Sequence, residues 1–235
     1  MHIVQRGNNR QPCFHGEQDR SFYLFQLGRL LAPTACALHA YCLMTNHVHL
    51  LVTSNVPNGC AKLMKHLGQL HTQYVNRNYG RTGTLWEGRF RSCLVQAEDY
   101  VLACYRYIES NPVRAGLAVH PRNYAWSSYR ANAEGAPDAL VSPHGEYLRL
   151  GLTGFARRLA YAELFGLGAE SARSEEIRAA TNGNFALGGA AFKRGLARVL
   201  GRRVERGRPG RPSQRPEGED QLELLPSPRK NVVCP

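Results

Sequence analysis

Thr45-Asn46-His47-Val48-His49-Leu50-Leu51-Val52 is the stretch whose reading decides the fold. It follows an apolar run, Ala35 to Met44, with only Thr45-Asn46 between them. Two β-like runs joined by a two-residue polar turn predict a hairpin. Side chains alternate between the faces of a strand, so His47 and His49 point one way and Val48 the other. Two imidazoles about 6 to 7 Å apart along a strand can hold one metal through their neutral nitrogens. They can equally be a pair of histidines on a half-polar sheet face, because H-x-H alone is short and unspecific.

Working outward, strand-like His2 to Arg6 leads into a turn-rich segment, Gly7 to Pro12. Met1 falls almost directly on that strand, which suggests that its natural start is short or missing. Glu17 to Leu31 has helical spacing, with Phe22, Phe25, Leu27 and Leu30 on its apolar side. Pro57-Asn58-Gly59 breaks the chain, and Cys60 to Tyr79 reads as a second amphipathic helix with Leu63, Leu67, Leu70 and Tyr74 inside. Its other side carries Lys62, Lys65, His66, Gln69 and Arg77, a stripe suited to a phosphate backbone; His66 and His71 read as solvated. Gly80 to Arg91 alternates glycines with arginines and aromatics, which suits unpaired bases and phosphates. Trp86 and Phe90 would serve as well tucked into the core.

A strand, Ser92 to Gln96, and a third helix, Glu98 to Ser110, follow, and Asn111-Pro112 ends that helix. The order strand, helix, strand, strand, helix, strand, helix gives an α+β domain. Its simplest form is an antiparallel sheet with helices on one face. On the third helix Tyr107 and Asn111 lie four apart and share a face, with Tyr100 seven residues before Tyr107. Spacing alone reads these as aromatics packed on the sheet as readily as functional groups.

Beyond about residue 145 the character changes to short helices, Phe155 to Leu164, Ser174 to Thr181 and Ala191 to Arg202. This reads as a small helical appendage. From Arg206 the chain is rich in Pro, Gly and Arg, and disorder is expected. Arg206-Gly207-Arg208-Pro209 resembles the core of an AT-hook, or is a solvated linker. The expected organisation is a domain over 1–130, a helical extension over 131–205 and a tail over 206–235.

The 235 residues carry a net charge of +12, with 43% hydrophobic residues. Each half, 1–150 and 151–235, has 15 Lys+Arg against 9 Asp+Glu, so the basicity is spread evenly. Arginine far outnumbers lysine, which suits bidentate phosphate contact, and nucleic acid is the leading partner class. No apolar run approaches a membrane span, so no membrane partner is expected. Seven cysteines with no C-x-x-C, most of them in apolar runs, argue for a reducing cytoplasm and against structural zinc.

Four stretches, VQRGNNRQ (4–11), LMTNHVHLLV (43–52), GTLWEGRFRS (83–92) and YIESNPVRAGL (107–117), appear in an order that a chance H-x-H would not show. With them the chain resembles the single-tyrosine HUH transposases of the IS200/IS605 type, and especially the REP-associated tyrosine transposases, over roughly residues 1–130. The resemblance implies a ferredoxin-like HUH domain and a divalent metal, Mg²⁺ or Mn²⁺, on His47 and His49. Tyr107 matches the catalytic tyrosine of Y-I-x-x-N-P, and Asn111 matches the polar residue that completes the metal site. Many insertion-sequence members have glutamine at that place, so coordination by the shorter asparagine is direct or through water.

The implied activity is metal-dependent cleavage and joining of single-stranded, REP-like palindromic hairpin DNA through a 5′-phosphotyrosine. Arg6, Asn8, Arg10, Lys62, Lys65, Arg81, Trp86, Arg89, Arg91 and Arg114 are the expected DNA contacts. Tyr100 is the alternative nucleophile, and His39 is a structural residue or a support for the site. The rival readings are a catalytically silent DNA-binding protein or repressor on the same fold, and a nuclease using water in place of Tyr107. Either a monomer or a homodimer is compatible with the sequence.

Overall fold

The computed structural model describes residues 1–166 and 170–207. The tail from Arg208 onward, with half of the AT-hook-like stretch, lies outside the described residues.

The strands are β1 (His2–Arg6), β2 (Cys36–Leu43), β3 (His47–Ser54), β4 (Arg91–Val95) and β5 (Ala186–Leu187). The principal early helices are α1 (Glu17–Leu31), α2 (Gly59–Asn78) and α3 (Ala97–Glu109). Strands and helices therefore run β-α-β-β-α-β before α3, and the sheet order is β2-β3-β1-β4-β5. This is the α+β class read from the sequence. The hairpin closes where expected, with the Met44 N–H donating to the His47 carbonyl at 2.9 Å.

Pleating divides the sheet residues between two cores. Ile3 pairs with Leu50, and Tyr41 and Leu43 pair with Leu50 and Val48. These face α1 and α2, where Tyr23, Leu27, Leu63, Leu67 and Val75 complete one cluster. The alternate residues, His2 opposite Leu51 and Val4 opposite His49, face the other way. There Cys42, Leu51 and Cys93 pack against Val101, Cys104, Tyr107 and Ile108 of α3. Helices thus cover both faces rather than one. The reason lies in the strands themselves, which are apolar on both sides and must be buried on both.

Further details differ from the sequence reading. In α1 it is Tyr23 that is buried, whereas Phe25 is 62% exposed. His71 is buried rather than solvated, with Nε2 2.8 Å from the Cys13 carbonyl. α3 ends beside Asn111-Pro112 as read, but the chain does not then turn extended. After a break at Ser110 one more turn forms, α4 (Asn111–Arg114), because Pro112 sits in its first turn where no N–H is needed.

The C-terminal part comprises α5 (Gly145–Leu148), α6 (Gly154–Glu163), α7 (Glu170–Asn182) and α8 (Ala190–Leu200). It is no loose appendage. β5 pairs with β4 in parallel, so the sheet is mixed, and Ile177, Ala180 and Leu187 join the α3-side core. Among the bonds that attach it are Arg91 Nη1 to the Asn182 carbonyl, Ser92 N–H to Asn184 Oδ1, and Gly189 N–H to Gln96 Oε1. No helix among the described residues is long and apolar enough to cross a membrane.

Candidate active site

Hairpin pairing with β1 holds His47 opposite Arg6 and His49 opposite Val4. Both histidines face α3, whose last turn carries Tyr107. The two imidazole centroids lie 5.0 Å apart, close enough to converge on one small ion. Tyr107 stands edge-on to the His49 ring at 5.7 Å. A pocket of about 270 Å³ is lined by His47, His49, Tyr107 and Asn111, together with Arg6 and Arg114. Three separate segments therefore contribute expected site residues to one cavity.

The turn leading out of β1 depends on a glycine. A Cβ on Gly7 would meet the Gln11 carbonyl oxygen at 2.2 Å, far inside contact distance. With no side chain there, the Gly7 N–H reaches the Asn46 carbonyl at 2.8 Å and ties the end of β1 to the hairpin turn.

Hydrogen bonds decide which imidazole nitrogens face the pocket. Asn46 Nδ2 donates to the Arg10 carbonyl at 2.9 Å, which orients that amide. Asn46 Oδ1 then accepts from His47 Nδ1 at 2.7 Å, so Nε2 of His47 carries the lone pair. His49 Nδ1 is engaged by His2 Nε2 at 2.9 Å, leaving Nε2 of His49 for the pocket. Burial lowers the pKa of His47 to about 4, with Arg6 adding to the effect. His49 is lowered well below the ordinary value, chiefly by burial and then by His47 and His2. Both rings are neutral at pH 7, the state a metal requires.

Among the described residues no group of three or more His, Cys, Asp or Glu is arranged to hold a metal. A metal here would rest on two imidazole nitrogens and the Asn111 amide oxygen. The Asn111 amide nitrogen donates, at a long 3.3 Å, to the Tyr107 carbonyl, which leaves its oxygen for other use. Two nitrogens and one neutral oxygen with open positions fit a six-coordinate divalent ion that keeps several waters.

Arg114 backs the tyrosine. Its guanidinium carbon is 4.2 Å from the Tyr107 ring centroid, and Nη2 donates to the Tyr107 carbonyl at 2.5 Å. Tyr100 does not enter this pocket and instead lies under Arg173 at 5.0 Å. His39 is remote from it, held between the Ser142 carbonyl and Thr53, and is structural.

Of the expected DNA contacts, Lys65, Trp86, Arg89 and Arg91 line a second, larger groove of about 1140 Å³ beside α2. Trp86 is only 6% exposed and donates its indole N–H to the Gly68 carbonyl, so it is at once core and groove wall. Asn8 and Arg10 form a short turn at the hairpin end, and Lys62 is exposed on α2. Arg81 follows α2 and lines neither cavity. Asn182 borders both cavities, which makes them neighbours around the β4 side of the sheet.

Sequence reasoning missed His2, Arg178, Thr181 and Asn182, all of which line the smaller pocket. His2 and His49 share a face only because β1 sits beside β3, a pairing that no local pattern specifies. Arg178 and Thr181 are three apart on α7 and so share a helix face, but nothing local says which site that face meets.

Residues 1–111 match the family described as transposase IS200 like. No curated protein matches the chain. Among solved structures, one described as the structure of the REP-associated tyrosine transposase bound to a REP hairpin is similar at 16% identity. That likeness covers 61% of this chain and 84% of the other, with a TM-score of 0.46.

Proposed function

We propose, from the match of residues 1–111 to the IS200-like transposases, that this chain is a metal-dependent single-strand DNA endonuclease and strand transferase. Tyr107 is its nucleophile, His47, His49 and Asn111 are its metal ligands, and a REP-like palindromic hairpin is its substrate. The hairpin rests on the motif resemblance in 4–11, 43–52, 83–92 and 107–117. Residues 1–130 form the catalytic unit in this reading, and 131–205 extend it. The observation that carries the reading is the convergence of His47, His49, Tyr107 and Asn111, from distant segments, on one pocket of about 270 Å³.

A divalent ion held by these ligands supplies polarisation of the scissile phosphate. The rest is the work of the chain. Tyr107 Oη attacks phosphorus as the bond from phosphorus to the 3′ oxygen breaks. The phenol proton is released and the departing oxygen leaves as a 3′-hydroxyl. A 5′-phosphotyrosine forms, and attack by another 3′-hydroxyl reverses the step with no external energy source. Arg6 and Arg114 border the pocket and offset the phosphate charge. The Lys65-Arg89-Arg91 groove takes the flanking strand, with the half-buried Phe90 available to an unpaired base.

The test uses 5′- and 3′-labelled hairpin DNA with Mn²⁺ or Mg²⁺ on a denaturing gel that retains protein. Wild type should give a metal-dependent covalent band that is lost in Tyr107→Phe and His49→Ala. Cleavage persisting in Tyr107→Phe without an adduct would show hydrolysis by water instead. Tight binding with no cleavage of any hairpin would leave a DNA-binding protein.

A further inference from the structure

The pocket contains a third histidine that holds nothing in it. His2 is fully buried on β1, lying edge to edge with His49, the centroids 5.2 Å apart and the planes 8° from parallel. Both of its ring nitrogens are occupied, Nε2 by His49 Nδ1 and Nδ1 by Thr181 Oγ1, each at 2.9 Å. Thr181 is buried as well, and its Oγ1 donates at 2.8 Å to the Ile177 carbonyl one turn back on α7. The four groups form one continuous chain from the helical extension to His49.

The direction of that chain follows from its last member. A carbonyl can only accept, so the single proton of the Thr181 hydroxyl is spent on Ile177. Thr181 Oγ1 must then accept from His2, which places the His2 proton on Nδ1. His2 Nε2 is left with a lone pair and accepts from His49 Nδ1–H. Nε2 of His49 is therefore bare. The opposite register would draw the hydroxyl away from Ile177 and put a proton on Nε2 of His49, the nitrogen that faces the pocket.

We propose that Thr181 and His2 are positioning residues that fix the tautomer and ring orientation of His49, so that the C-terminal extension is a working part of the metal site. The proposal rests on the reading of His49 as a ligand. A ligating histidine that donates its second N–H to a fixed acceptor is held in orientation and made more basic. Here that acceptor is an imidazole whose own tautomer is set from α7. α7 is anchored for this by Arg91 and by its packing on Cys93 and α3. Cys93 Sγ, 3.2 Å from Thr181 Oγ1, is a second contact that holds the hydroxyl in place.

The experiment needs the full chain and two readouts. In metal-free protein, ¹⁵N NMR of the imidazoles reports the His49 tautomer directly. Mn²⁺ titration by electron paramagnetic resonance reports affinity. Wild type and Thr181→Ser should both show His49 protonated at Nδ1 alone. Thr181→Val, which keeps the shape and removes the hydroxyl, should show mixed tautomers and bind Mn²⁺ roughly 10- to 100-fold more weakly. Thr181→Ala provides the same comparison if the valine variant does not fold. A single Nδ1–H tautomer in Thr181→Val or Thr181→Ala would overturn the proposal, as would failure of serine to restore wild-type behaviour. Absence of Mn²⁺ binding in wild type would sink the metal-site reading, while the metal-free tautomer comparison would still decide the role of Thr181.

Discussion

The Arg114 guanidinium lies over the Tyr107 ring, 4.2 Å from its centroid, while donating a hydrogen bond to the carbonyl of that same residue. The two residues are seven apart and sit on either side of the break at Ser110. One side chain thereby fixes the position of the tyrosine and places positive charge beside it.

Replacing Arg114 should slow the chemistry without unfolding the protein. A cation over an aromatic face in a desolvated site contributes about 1–2 kcal/mol, so Arg114→Ala should cut the adduct-forming rate roughly 5- to 30-fold. Single-turnover gels measure that rate. An unchanged rate with DNA saturating would remove Arg114 from the catalytic arrangement.

Glu109 joins the tyrosine helix to the C-terminal part. Fully buried, it accepts from Ser128 and Asn132 through Oε1 and from Tyr161 of α6 through Oε2. Glu109→Leu would orphan the buried Tyr161 hydroxyl, at about 1–3 kcal/mol, and leave Ser128 and Asn132 only their 3.3 Å bonds to the Tyr41 and His39 carbonyls. Thermal unfolding should show a loss of roughly 2 kcal/mol. A change within a degree of wild type would mean that the network relaxes onto other acceptors.

Stability of the metal-free protein should fall on acidification. Burial lowers His2 to about 3 and His39, His47 and His71 to about 4, with His49 well below its ordinary value. The unfolded chain protonates these rings near pH 6.5, so their contribution is complete above that and is lost as pH falls towards 4. Glu109 runs the other way. Burial raises it to about 7, so its contribution is complete below about 4.5 and is lost as pH rises through 7. The histidines outweigh one carboxyl. Near pH 5.5 unfolding should take up protons net, so stability should rise with pH from 5 towards 6.5. Urea titrations in EDTA between pH 5 and 8 measure this. A flat profile would contradict the burial of these rings.

Binding along the larger groove should be electrostatic and insensitive to sequence at its arginines. Arg89→Ala should weaken single-strand binding at every sequence and lower the slope of log affinity against log salt by about 1. Trp86→Ala would instead lose the Gly68 contact and core packing, and should cost stability as well as binding. Fluorescence anisotropy across a salt series separates the two effects.

The sequence by itself determined the hairpin, the shared orientation of His47 and His49, the existence of α1, α2 and α3, and the shared face of Tyr107 and Asn111. All of these follow from periods of 2 or 3.6 within one segment. Phe25 and Tyr23 show where that reach ends, since they lie on opposite faces of α1 and only the packing of the sheet decides which face is buried. Only the tertiary structure decided that β1 lies between β3 and β4, which sets His2 against His49. Only it decided that α7 returns to the far face of the sheet, which brings Thr181 to His2 across 179 residues of sequence. Strand neighbours and helix docking are chosen by burial summed over the whole molecule, and no local stretch carries that sum.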